Sequence, residues 1–130
     1  MKPRYFAFAL LAGTLFTASF HPALARAADA PSSTAPQWET FASCAAAYLA
    51  NWQNRLSDPN RAPTMSAMIK DEFEQYRLAA IGYYEKDWKT STDEAGRNVD
   101  GHVKTNLARF IAMDKTGALE AYIDKCPQAE

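Results

Sequence analysis

Histidine and cysteine are scarce in this 130-residue chain, two of each, beside six tyrosines, seven phenylalanines and three tryptophans. The two cysteines, Cys44 and Cys126, stand far apart, and neither belongs to a C-x-x-C or a C-x-x-C-H. That removes the usual dithiol redox motif and covalent c-type haem attachment. His102 is the only histidine after the first thirty residues, which leaves a histidine-based metal site short of ligands. Basic charge is not in excess either: fourteen Lys and Arg face fifteen Asp and Glu, a formal net charge of −1. Nucleic acid and anionic membrane surfaces select for clustered basic residues, so neither is an expected partner. Strand alternation and internal repeats are also missing.

The first long apolar run is at the start. "MKPRYFAFALLAGTLFTASFHPALARAADA" opens with Lys2 and Arg4 and continues through about fifteen mostly apolar residues, Phe6 to Phe20. Small residues then follow at the spacing a signal peptidase reads, Ala23-Leu24-Ala25 and Ala25-Arg26-Ala27. The run is shorter than the roughly 20 residues of a spanning helix. Residues 1–27 are therefore expected to be a cleaved secretory signal, 28–36 ("ADAPSSTAP") a disordered polar leader, and 37–130 one helical domain. Lys2, Arg4 and Arg26 would leave with the signal while all acidic residues stay, giving the exported chain a net charge of −4. The expected location is the periplasm or the exterior, with no membrane contact after cleavage.

From Gln37 onward the apolar period is helical. Trp38, Phe41, Ala45, Tyr48, Trp52 and Leu56 recur at steps of three and four. "SDPNRAP" ends that segment with turn chemistry, and Pro63 suits the first turn of a new helix. The second segment, about Thr64 to Lys89, carries Met65, Ile69, Phe73, Tyr76, Ala80 and Tyr83 in line. Ser91 and Glu94 have the spacing of a capping box, and Ala95, Val99, Val103, Leu107 and Phe110 mark a third helix over about Thr92 to Asp114. Thr116-Gly117 breaks the chain before a short last helix with Leu119, Tyr122, Ile123 and Cys126, stopped by Pro127. Short connections favour antiparallel neighbours, so the expected fold is a small all-α, up-down-up-down four-helix bundle. In that topology Cys44 and Cys126 meet at one end, and an exported pair is expected to form a disulfide.

Catalytic residue types are few. Cys44, His102 and Asn106 have the types of a Cys–His–Asn site, but a histidine and asparagine one turn apart form an ordinary surface pair, and a disulfide removes the nucleophile. The carboxylates Asp71, Glu72, Glu74, Glu85 and Asp87 alternate with Lys70, Arg77, Lys86 and Lys89, the pattern of a solvated helix face. No enzyme activity, metal or cofactor is expected. The alternative class is a metal or haem carrier, since Met65-x-x-Met68 resembles the methionine pairs that hold Cu(I) and a methionine can join a histidine on haem.

One feature points to a partner. Beside the core stripe of the second helix runs a second line, Arg77, Ile81, Tyr84 and Trp88, at steps of four, three and four. With Tyr76 and Tyr83 this makes a wide aromatic face. It is either buried between two neighbouring helices or an exposed patch with the composition of a protein–protein hot spot. The four residues are the candidate partner-binding set, and the expected role is non-catalytic binding of a periplasmic or secreted protein. "ASCAAAY" (42–48) and "NLARFIAMDKTGALEAYI" (106–123) resemble the small secreted helical immunity proteins that block cell-wall amidase effectors in the periplasm. This chain has no cysteine near Phe110, where that family carries its second. The resemblance implies such an effector as an alternative partner.

Overall fold

The computed structural model describes residues 30–58, 60 and 63–130, so residues 1–27, expected to be a signal peptide, lie outside the described residues. These residues are helical, with no strand among them: α1 (Gln37–Leu56), α2 (Pro63–Trp88), α3 (Thr92–Lys115) and the short α4 (Ala118–Ile123). No helix among them is long and apolar enough to cross a membrane. Side-chain pairs give the directions. Trp38 meets Tyr84 near the start of α1 while Lys70 lies over Trp52 near its end, so α2 runs against α1. Ser43 bonds His102 and Asn54 bonds Asp114, so α3 runs alongside α1 in the same sense.

The helix ends follow local chemistry. After α1, the Asp58 carboxylate accepts the Asn60 backbone N–H at 2.8 Å, an Asx turn. α2 ends at Lys89, whose φ of +51° is the left-handed conformation that closes many helices. Ser91 caps α3 by accepting the Glu94 N–H at 3.3 Å. The expected capping box differs in one half: the Glu94 carboxylate accepts from the Thr90 hydroxyl. Gly117, φ +76°, turns the chain from α3 into α4, a conformation that costs other residues about 1 kcal/mol or more.

α4 is shorter than the sequence period indicates. It stops at Ile123, and tight turns, Lys125 N–H to Tyr122 O and Cys126 N–H to Ile123 O, carry the chain to the second cysteine. These turns satisfy the last carbonyls and swing Cys126 towards α1, where it bonds Cys44 with the Cα atoms 6.0 Å apart.

α1 is the centre of the molecule and touches each of the other three helices. Phe41, Ala42, Cys44, Ala45, Ala46, Ala47 and Ala50 are all buried. At 100° per residue these positions surround the helix instead of forming one stripe. Around α1 the core is aromatic: Tyr83 and Tyr76 flank Phe41 with centroids 5.1 and 6.0 Å away, Tyr48 stacks on Tyr76 at 5.1 Å, and Phe110 meets Tyr122 at 4.8 Å. Burial pushes the Tyr48 hydroxyl up to about 12, with the neighbouring Tyr76 and Glu72 adding to it. The Ser66 hydroxyl is buried without a hydrogen-bond partner among the described residues.

The bridge closes 82 residues of chain, for which loop-closure entropy gives up to about 4.5 kcal/mol of stability. Changing both cysteines to serine is expected to lower the unfolding free energy in urea by about 2–4 kcal/mol. An unchanged midpoint and slope would contradict a structural role for the bridge. Ser66→Ala is expected to be neutral or to raise stability by about 1 kcal/mol, because it removes a buried hydroxyl that bonds no described residue.

Candidate functional site

The most convergent polar cluster lies where α1, α3, α4 and residues 30–36 meet. Ser43 projects from α1 and its Oγ lies 2.9 Å from Nε2 of His102 on α3. Tyr122 of α4 lines the same cavity, and the guanidinium of Arg109 sits over the Phe110 and Tyr122 rings at 5.2 and 6.0 Å. Asn106 donates its amide to the His102 carbonyl at 2.9 Å. Trp38 meets the imidazole edge-on at 5.5 Å. The chain before α1 forms one wall, held by the Thr40 hydroxyl donating to the Ser32 carbonyl at 3.5 Å. Glu39, Ser43, His102, Asn106, Arg109 and Tyr122 line a cavity of about 390 Å³ with Thr40 and the chain before α1.

Burial sets the protonation of this cluster. His102 is held below the ordinary histidine range because the imidazolium would lose hydration, and the Glu39 carboxylate pulls weakly the other way. Tyr122 is raised by burial, against smaller opposing effects from Arg109 and Ser43. The site therefore has a neutral middle.

A serine hydrogen-bonded to a histidine has the form of a nucleophile and its base. Ser43, however, sits in the interior of α1, where backbone N–H groups are already spent on carbonyls one turn back. The paired backbone donors that stabilise an oxyanion in acyl transfer are not offered there. The Cys44–His102–Asn106 trio has no free thiol, since Cys44 is in the disulfide. Its neighbour Ser43 faces His102 instead. The signal was present in the sequence: Glu39, Thr40 and Ser43 form a polar line at helical spacing on a helix otherwise rich in alanine.

The candidate partner-binding residues divide. Arg77 is half-buried and donates Nε and Nη2 to the two Asp100 oxygens at 2.6 and 2.8 Å, bridging α2 to α3. Ile81 is 7 % exposed and belongs to the core, facing Gly96 of α3. Tyr84 is half-buried, edge-on to Trp38 at 4.8 Å. Trp88 is 65 % exposed and stacks on Tyr84 at 6.1 Å. The line is thus a seam along most of its length and a surface only at its end.

Metal ligands are not gathered anywhere among the described residues: no group of three or more His, Cys, Asp or Glu is placed to hold an ion. Met65 and Met68 are exposed near the start of α2, at the opposite end of α1 from His102. No protein family, no curated protein and no solved structure matches this chain.

A histidine with a depressed pKa in the folded state takes up a proton more readily in the unfolded chain. Its stabilising effect is full above about pH 6.5 and is lost as pH falls below that value. Urea unfolding is expected to show stability declining from about pH 7.5 to 5.5. His102→Gln should flatten the decline, and identical slopes in the two proteins would show that His102 is not the titrating group.

Proposed function

We propose that this chain is an exported, up-down-up-down helical bundle that acts by binding a protein and not by catalysis, with Trp88 as its principal contact. The observation that carries the reading is the state of the Trp88 ring, 65 % exposed yet stacked on Tyr84, which in turn abuts Trp38. A large aromatic group held in place before contact loses little conformational freedom on binding, and tryptophan and tyrosine dominate interface energetics. Arg77 and Ile81 support the reading indirectly, by fastening α2 to α3 beneath that end.

Export is supported by the basic, apolar and small-residue order of the first 27 residues and is compatible with the disulfide. Sequencing of the mature N-terminus should read from Ala28. The resemblance to periplasmic immunity proteins is the special case in which the bound protein is a cell-wall amidase effector. A metal or haem carrier has less support: both thiols are bridged, and the His102 Nε2 is engaged by Ser43.

A photoreactive residue at position 88 of the exported protein is expected to yield a discrete crosslinked band in living cells, and mass spectrometry of the band identifies the partner. Trp88→Ala should then weaken that complex by about 2 kcal/mol or more, some thirtyfold, while the melting temperature stays within about 2 °C. Unfolding of this variant, or undiminished affinity for the partner, would overturn the role given to Trp88.

A further inference from the structure

One face of α2 has no helix against it. α2 meets α1 through Tyr76 and Tyr83, and α3 through Arg77 and Ile81. At 100° per residue Gln75, Leu78, Ala79 and Lys86 lie within about 60° of Gly82, on the side away from buried Ala80. These five residues line a groove of about 560 Å³, edged by Tyr83, Ala129 and Glu130.

Two of the five do not suit a solvated surface. Leu78 is 61 % exposed. Gly82 lies inside a 26-residue helix, where only proline is less favourable than glycine. A Cβ added there would meet nothing within 4 Å, so no described residue requires its small size. The groove at Gly82 has room for an apolar side chain from outside, and Leu78, one turn earlier, is such a side chain. The patch therefore carries both a knob and a hole that receives it.

The flanking charges match in the same way. Glu72 and Lys86 occupy equivalent positions two heptads apart at one edge of this face, and neither is in a salt bridge among the described residues. When two such helices pair antiparallel with Leu78 of each over Gly82 of the other, the heptad geometry sets Ala79 beside Ala79 and Glu72 beside Lys86, twice. Gln75 then faces Glu85, and its amide can donate to that carboxylate. A parallel pair would set Glu72 at the level of Glu72, so the charges select the antiparallel orientation. The contact uses the same patch on both copies and closes at two. Trp88 lies about 120° round α2 from Gly82 and stays outside it.

We propose that the outer face of α2 is a homodimer interface: two copies of this chain pair their α2 helices antiparallel, with Leu78 of each seated at Gly82 of the other and Glu72 of each meeting Lys86 of the other.

Sedimentation equilibrium of the disulfide-intact protein in low salt should show a monomer–dimer equilibrium with a dissociation constant on the order of 0.1 mM or below, in keeping with a small interface. Leu78→Lys should weaken it at least about tenfold. Gly82→Gln should weaken it likewise while raising the urea midpoint of the dilute monomer, because glutamine is the better helix former and meets open space there. Lys86→Glu and Glu72→Lys should each weaken self-association roughly tenfold. An equimolar mixture of those two variants should form a mixed dimer at least as tight as that of the unaltered protein, since both ion pairs are then restored. Glu120→Lys, the same charge change elsewhere, should not rescue Lys86→Glu. Leu78 and Lys86 are exposed and Glu72 half-exposed, and near-ultraviolet circular dichroism checks that each variant keeps its fold. Trp88→Ala should leave the dimer unchanged, so this interface and the Trp88 contact can fail separately. A monomer at every concentration up to about 1 mM would overturn the proposal. So would association indifferent to Leu78→Lys and Gly82→Gln, or the absence of the mixed dimer.

Discussion

The structure depends on the close approach of three neighbours to a single alanine-rich helix. Five alanines of α1, at positions 42, 45, 46, 47 and 50, have no exposed surface at all. A methyl side chain lets neighbouring backbones come near, and it loses no rotamer freedom on burial. The larger side chains that fill the space come from outside α1: Tyr76 and Ile81 from α2, Val99 and Phe110 from α3, Leu119 and Tyr122 from α4. α1 contributes shape, and its neighbours contribute most of the apolar volume. A core built in this way tolerates shortening of α4 to six residues, because that helix has only to bring Leu119 and Tyr122 to the α1 surface.

From that arrangement the special positions of α1 follow. Three consecutive faces of one turn do three different things: Ala42 packs in the core, Ser43 meets the imidazole of α3, and Cys44 meets the chain leaving α4. At the start of the helix Trp38 stands between Tyr84 and His102, so the aromatic stack ending in exposed Trp88 reaches the imidazole of α3. The aromatic stack and the polar cluster are at the same end of the molecule. The opposite end is held by simpler means, such as Asn54 donating to Asp114 at 2.7 Å.

Much of the frame was legible in the residues. Helical period, turn chemistry at Asp58 and Asn60, the Ser91 cap and the Thr116-Gly117 break each depend on local interactions, and local interactions leave local signatures. The Cys44–Cys126 bridge was legible because the expected bundle topology brings the chain's two cysteines to one end. Three things were not. Burial of α1 on all sides is invisible to a search for one apolar stripe, since alanine is compatible with either face. The division of Arg77, Ile81, Tyr84 and Trp88 depends on how far α3 extends beside α2, a tertiary fact. The Ser43–His102 pair joins positions 59 apart in sequence, and only the parallel register of α1 and α3 brings them together.

The central claim is that α1 is enclosed by the other helices and opens only when the whole fold does. Native-state hydrogen exchange resolved by residue tests it most directly. The amides of Ala45, Ala46, Ala47 and Ala50 should be the last to exchange, with opening free energies equal to that of global unfolding measured in urea. Those of α4 and the first turn of α1 should open at lower cost. If the α1 alanines instead exchange ahead of the central amides of α2 and α3, the alanine helix is not the element on which the others are assembled.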